Sequence, residues 1–550
     1  MKKISIVIIA SVILFSSCMD EFLNVKPVSD LTTDKFWKTE TDVRTALNSA
    51  YGFIQSTYNS GYSQWFEGRS DNWAPLNTSS ASNSPLSATF NQLTNQMSPS
   101  NWAGWYDIVS VANYSLYYIP QTPIADKVKQ NHYLAEAYFL RAFAYYNIAR
   151  IWGDAPLVIK PTLKVTEIEY PFKSSQALIL EQVGKDIDSA LVKADKDGTL
   201  GGSRTVNKAF FSVGALYALA TDYSMWMHEY QKALDYSVAL NFFMNNTAIS
   251  LNATADYSKL FTPTDAIGQN ENIWVLQWDY INQNNTINNA VWTFMAPTGP
   301  SYTYSSWFYS GSGGYNPALL PSFNGQRIKG WIFDAYYKGD RRKATTLDSV
   351  AGGTSASSPY VIAVSTSKVL LKATAGIKPT TVMQSYNFPI VMYRYADILL
   401  MRAEAYNKLG NITASVAELK KVRDRAGLTN IAAKITDATG FSTIDGPVNQ
   451  TRPATGYVAD GENGSSNQLE MDILKERSIE LLGEGKRWFD LMRTGKAMAV
   501  MNDYYDYALT ISTTVKLTKY TDEKQLYWPI FYRNLNTNPN LSGTVIDKNL

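Results

Sequence analysis

Residues 131–150, NHYLAEAYFLRAFAYYNIAR, place Ala135, Ala142 and Ala149 seven apart with Leu140, Phe143 and Tyr146 alongside, and no Gly or Pro interrupts the run. An apolar stripe of this kind predicts a long packed helix, and its small residues let neighbouring helices approach closely. The plan recurs further on. Residues 207–239 predict two helices, NKAFFSVGALYALATDYSMW and EYQKALDYSVAL, joined near His228. Residues 396–425 predict another pair, broken at Gly410-Asn411 and stopped at Gly427.

A helix, a short Gly/Asn turn and a second helix with Ala at the crossing resemble a tetratricopeptide hairpin, best seen in AEAYNKLGN. Each hairpin must hide its apolar face against neighbours, so hairpins scattered along the sequence are expected to stack into one scaffold. Between them, residues 60–104, 279–317, 345–386 and 429–468 are rich in Ser, Thr, Asn, Gly and aromatics and lack helical periodicity. Loops of such length usually carry function. IWVLQWD at 273–279 and YVIAVSTSKVLL at 360–371 have the β-branched and aromatic pattern of short strands, so any sheet is small. The expected fold class is therefore mostly α, with a loop-rich region and little β.

The amino terminus reads as an address. Lys2 and Lys3 precede a largely apolar run from Ile4 to Phe15, too short for the roughly 20 residues that span a bilayer. The run ends in LFSSC, which resembles the lipobox of a bacterial lipoprotein signal. Residues 1–17 are then expected to be removed and Cys18 acylated, and two or more acyl chains anchor a protein where one barely would. The acidic pair Asp20-Glu21 resembles the sorting signal of surface-exposed lipoproteins.

Composition narrows the chemistry. A net charge of +2 gives no support to nucleic-acid binding, and a single cysteine excludes an internal disulfide framework and any multi-Cys metal site. Only His132 and His228 are present, which excludes a three-histidine zinc site. His228, beside Trp226, is expected to pack or cap. GSGG at 311–314 lacks the Lys-Ser/Thr of a phosphate loop, and no nucleophile elbow or EF-hand spacing occurs. In KERSIELLGEGKRWFDLMR, Glu476, Glu480 and Glu484 recur every four residues, one face of a helix. Glycosidases set two carboxylates on opposite sides of a bond, commonly from separate elements, so this stripe does not favour hydrolysis. Ion pairs are the expected use: Arg477 with Glu480, Arg487 with Glu484, Arg394 with Asp397, and Arg423 and Arg425 near Asp424. No catalytic residue and no cofactor are expected.

The segments CMDEFLNVKPVSD and FWKTETDVRTALNSAYG near the start, AEAYFLRAFAYYNIARIWGDAPLV, FDAYYKGDRR, YRYADILLMRAEAYNKLG, VRDRAGL and ILKERSIELLGEGKRWFDLMRTGKA occur in family order. With the closing LYWPIFYRNLNTNPNLSG, they make the chain resemble the SusD/RagB family of nutrient-binding lipoproteins from end to end. The closing segment departs from the family ending at Tyr532 and Asn534, where Pro or Glu is often seen. The resemblance implies four tetratricopeptide-like units forming one side, with a variable loop-rich region carrying the ligand. It also implies a partner, a SusC-like TonB-dependent outer-membrane transporter over which the lipoprotein sits as a lid. One SusD-like domain is expected over 18–550: helical repeats to about 270, the variable region over about 271–386, and a helical part beyond 387.

Loop aromatics are the remaining signal. A sugar ring offers an apolar face and a fringe of hydroxyls, so a flat indole beside Asn, Arg or Asp suits it. Covering about half of an exposed Trp stabilises by about 2.5 kcal/mol, and two or three such contacts suggest dissociation constants of roughly micromolar to millimolar. Trp73, in SDNWAPLNTSS, and Trp307, in SYTYSSWFYSGSGG, sit where burial is hardest to arrange and are the first candidate platforms. Trp65, Trp292 and Tyr304 follow, with Asp71, Asn72 and Arg69 as hydroxyl partners, whereas Trp105 and Tyr106 are assigned to packing. The expected protein is a surface lipoprotein of the outer membrane, lipid-anchored through Cys18. It binds oligosaccharides without cleaving them and delivers them to the transporter. A peptide binder of the same type is the alternative, and a surface glycosidase a more remote one.

Overall fold

The computed structural model describes residues 36–72, 88, 90–195, 208–244, 249–262, 264–278, 340–342, 347–349, 368–370, 389–428, 457–511, 517–543 and 545. Of the candidate site residues, Cys18, Trp73, Trp292, Tyr304 and Trp307 lie outside them.

Eight helices come in four successive pairs: α1 (Glu40–Tyr62) with α2 (Ala103–Tyr118), α3 (Lys127–Trp152) with α4 (Gln176–Lys193), α5 (Val213–Trp226) with α6 (Tyr230–Met244), and α7 (Tyr395–Lys408) with α8 (Ile412–Arg425). Each pair packs on the next, α2 on α3, α4 on α5 and α6 on α7. The fold is thus mostly α, with the hairpins stacked as their unsatisfied apolar faces require. Then come α9 (Asn467–Glu480), α10 (Arg487–Arg493), α11 (Ala497–Ile511) and α12 (Tyr532–Thr537).

Local chemistry accounts for the boundaries. Asp126 caps α3, its carboxylate accepting from Val128 N and Lys129 N at 2.9 and 3.1 Å, so the helix begins four residues before the predicted 131. It ends at Gly153, whose φ of 73° no continuing helix allows. Ser175, Asn411 and Ser466 cap α4, α8 and α9 in the same way. Between α5 and α6 the chain reverses at His228, φ 58°, whose ring Nε2 meets Arg493 O at 2.9 Å, in keeping with the capping expected of it.

α3 is buried nearly all round, which is why its stripe carries so many alanines. Trp105 of α2 is fully buried and Tyr106 donates to Pro156 O at 2.6 Å, so both serve packing. One large core runs through the hairpins, and a smaller cluster of Leu399, Leu400, Leu419, Val422, Leu469 and Ile473 binds α7, α8 and α9 together.

Strand β1 (Asn272–Leu276) pairs antiparallel with β4 (Ile390–Arg394), Asn272 opposite Arg394 and Leu276 opposite Ile390, and both are buried along their whole length. The ladder joins positions more than a hundred residues apart and sets Arg394 beside Glu271. β2 (Leu347–Ser349) pairs antiparallel with β3 (Lys368–Leu370). Of the strand expected over 360–371, only β3 lies within the described residues.

Gly410 ends α7 at φ 76°, and a Cβ there would meet Asn463 O at 2.4 Å. Gly410→Ala is expected to lower unfolding free energy by about 2 kcal/mol or more. Gly52 lies inside α1, where an added Cβ would have nothing within 4 Å, and Gly52→Ala is expected to gain up to about 1 kcal/mol. Urea unfolding of the two variants checks both signs.

Candidate ligand platform

The α1 helix runs into a single π-helical turn, Ser63–Glu67, that aims the following side chains inward. Trp65 is 2% exposed, its indole N–H donates to Pro99 O at 2.7 Å, and its ring lies 5.9 and 5.5 Å from those of Trp105 and Trp152. Gly61 makes the room, since a Cβ there would fall 2.4 Å from the indole. Trp65 is a core residue, which corrects its assignment as a ligand platform.

Arg69 and Asp71 are corrected as well. Arg69 is fully buried against the Trp488 ring at 4.5 Å, and it donates to Leu526 O and Gln525 O at 2.6 Å each and to the Tyr520 hydroxyl at 3.1 Å. Asp71, 4% exposed, accepts from Arg487 Nε and Nη2 at 2.8 and 2.9 Å. Charges this deep need such partners, and their burial keeps both groups out of reach of a sugar hydroxyl. Asn72 is half-buried, and its Oδ1 accepts from Ser478 Oγ at 2.7 Å. Nothing local in GRSDNW announces this, because the partners lie some four hundred residues downstream.

The glutamate stripe is broken by the structure. α9 ends at Glu480, and Gly483 and Gly485, at φ 78° and 74°, turn the chain so that Glu484 leaves the helix. The expected neighbour pairs give way to long-range ones. Glu476 accepts from Arg342 and Arg423 at 2.6 and 2.8 Å. Glu480 accepts from Arg342 at 2.6 Å, Arg394 at 2.5 Å and Arg425. Arg394 also donates to both oxygens of Glu484, at 2.8 and 2.9 Å, and to Glu271 at 2.7 Å. Arg477 pairs with Asp397 and Asp490 at 2.9 and 2.8 Å, and Asp397 also takes Lys486 at 3.0 Å rather than Arg394. Asp424 pairs with Lys420, not with the flanking arginines. A pair at i, i+3 on one surface is worth little, whereas a water-free interior makes each buried charge require several fixed partners.

This ionic layer gathers the stems of the polar, aromatic-rich segments. Asn72, just before Trp73, is bonded to Ser478. Asp340 and Arg342 mark where the described chain resumes, 33 residues beyond Trp307. Arg342, gripped by Asp340, reaches Glu476 and Glu480 one turn apart. Arg423 and Arg425, just before 429–456, end on the same two glutamates. One helix, α9, is the bar to which all three stems are fastened.

The electrostatics suit a frame. Burial opposes ionisation of Asp397, but Lys486 and Arg477 outweigh it and hold the carboxyl down to about 2. Against the same opposing burial, Arg342 and Arg423 keep Glu476 below the ordinary glutamate range. Neither group is poised to exchange protons near neutrality. Among the described residues no group of three or more His, Cys, Asp and Glu is placed to hold a metal ion, and no helix is long and apolar enough to cross a membrane.

Two family models match the sequence: the SusD family over residues 303–545, and a family described as starch-binding associating with outer membrane over residues 21–195. SusD-like protein P38 of Formosa agariphila is 28% identical, with 99% of each chain covered. SusD-like protein P2 of the same organism is 25% identical, covering 90% of this chain and 91% of its own. Among solved structures, B. fragilis NanU superposes with a TM-score of 0.66 at 21% identity, covering 94% of this chain and 98% of its own. A laminarin-binding SusD-like protein gives 0.60 at 20% identity, covering 91% and 98%. The likeness to these two shows that the fold is SusD-like.

Glu480→Gln leaves three buried arginines short of a charge and is expected to cost about 3–5 kcal/mol. Glu181→Gln, in an exposed pair with Lys185, is expected to stay within about 0.5 kcal/mol of the parent. Equal losses in urea unfolding would show that the buried layer holds nothing. Asp397 and Glu476 bind protons less tightly folded than unfolded, so their contribution is complete above about pH 4.5 and lost as pH falls toward 2. Asp397 alone accounts for about 2 kcal/mol of it. Unfolding free energy measured from pH 6 to pH 2 should fall less in Asp397→Asn than in the parent, a comparison that cancels Asp107, Glu136 and Asp186, whose carboxyls burial pushes up and which act in the opposite sense.

Proposed function

The chain belongs to the SusD/RagB family, and on that premise we propose that it is a non-catalytic, cell-surface lipoprotein that captures oligosaccharides and hands them to a SusC-like TonB-dependent outer-membrane transporter. The observation that carries this reading is the convergence of stems on α9. Segments holding Trp73 on one side and Trp292, Tyr304 and Trp307 on the other leave the frame from points fixed to Ser478, Glu476 and Glu480. The chain entering the first aromatic-rich stretch and the chain returning after the second are thereby fastened to one helix, which supports a shared sugar platform.

One of the two matched family descriptions speaks of starch binding and outer-membrane association, and one fold relative is named for binding laminarin. These support a carbohydrate as the ligand class. Cys18, acylated after removal of residues 1–17, would tether the frame to the membrane. Glu476, Glu480 and Glu484 are spent on arginines, which supports binding without hydrolysis. The lid role beside the transporter rests on family membership.

Calorimetry over a panel of neutral and charged oligosaccharides tests the ligand class, and binding only to peptides would overturn it. Trp73→Ala and Trp307→Ala are each expected to weaken binding at least tenfold with thermal stability nearly unchanged. Trp65→Ala should instead cost about 3–5 kcal/mol of stability. Cys18→Ser is expected to move the protein from the membrane fraction to the soluble fraction on cell fractionation.

A further inference from the structure

A cleft of about 880 Å³ lies where the end of α3 meets the start of α4 and the segment 523–530. Small-ligand sites occupy roughly 300–1,000 Å³, so the space is of the right order for one or two sugar units. Among the described residues, its lining takes Asn91 and Leu93 from the 60–104 segment and none of Trp65, Arg69, Asp71 and Asn72.

Its walls are held from several sides. After Gly153, Asp154 accepts from Gln176 N at 2.9 Å. The Gln176 side chain donates to Ala149 O at 2.9 Å and accepts from the Tyr527 hydroxyl at 3.2 Å. Trp528 N donates to Ile151 O at 2.8 Å, tying the carboxy-terminal segment to the last turn of α3. Behind that wall stands Arg69, whose guanidinium grips the carbonyls of Gln525 and Leu526. The residue expected to meet a ligand directly acts here as a positioning residue. A wall held in this way loses little freedom when a ligand enters.

The lining chemistry selects a class. Tyr527, of intermediate exposure, supplies aromatic surface, with Trp152 and Trp528 buried behind it. Around them stand Asp154, Lys173, Glu523 and Lys524, two charges of each sign. Balanced charges give no field that would concentrate an anion or a cation, while their donors and acceptors suit hydroxyl groups. We propose that this cleft is a second saccharide site, taking one or two units of a neutral sugar and distinct from the platform assigned to Trp73 and Trp307. The choice of ligand class rests on the carbohydrate reading above.

Gly543 lines the cleft with φ −84°, and a Cβ there would approach only Asn540 O, at 3.4 Å, so Gly543→Trp can plug the space without straining the backbone. Glu523→Ala combined with Lys524→Ala strips two exposed rim groups and serves as an independent variant. Both would be titrated calorimetrically with maltohexaose, laminarihexaose and cellohexaose, beside Trp73→Ala and Trp307→Ala. Two classes of site are expected in the parent. One is weakened at least tenfold by the plug and by the rim variant with melting temperature held, and the other is weakened only by the tryptophan variants. A single class lost with Trp73 or Trp307 and untouched by Gly543→Trp would remove the cleft and leave the carbohydrate reading standing. No binding by the parent of these three sugars or of any member of the wider oligosaccharide panel would overturn both.

Discussion

Glu480 takes hydrogen bonds from Arg342, Arg394 and Arg425, and these arginines come from three stretches of chain that no local rule would bring together. Removing so many charges from water is costly, and a buried ion pair does not by itself add stability over a well-packed apolar substitute. What it does is restrict geometry. Arg394, whose Nε, Nη1 and Nη2 all meet a carboxylate or carbonyl, tolerates few arrangements, and Arg342 and Arg425 are held to carboxylates of the same layer, so the stems that carry these arginines are fixed relative to α9. The ladder between β1 and β4 depends on the same layer, because Arg394 closes it and Glu271, beside Asn272, receives Arg394 and Arg425.

Around this layer the helices do a simpler job. α3 is enclosed by α2, α4 and α1, and its alanines let those neighbours close in. Stacked pairs of this kind are stable through contacts with adjacent pairs alone, which leaves the connections between them free to be long and polar. The frame is therefore tolerant where ligand chemistry needs variety and strict where the ionic layer needs every partner.

Arg69 and Trp65 show how one short stretch serves both ends. The π-helical turn after α1 sends Trp65 into the aromatic core against Trp105 and Trp152. Arg69 goes across to the carbonyls of 525 and 526, backing the wall of the cleft at the end of α3. Weak, multi-point capture suits a protein that must release what it binds, and two modest sites on one rigid body raise retention through effective concentration without either binding tightly.

The helix at 127–152 and the helical pairs at 213–244 and 395–425 were legible in the amino-acid sequence because their signals are local: apolar spacing and the Gly-Asn break at 410–411. The start of the β1 strand and the use of the glutamates in ion pairs were legible for similar reasons. The roles of Trp65, Arg69 and Asp71, and the partner of every buried glutamate, were not. Their surroundings in sequence are polar and loop-like, and the groups that enclose them arrive from positions such as 342, 487 and 525. Which charge meets which is decided by desolvation in the assembled interior, a property of the packed volume that no window of neighbouring residues contains. Helix type is set over a few turns of chain, whereas burial and pairing exist only once the distant strands and helices have closed around the site.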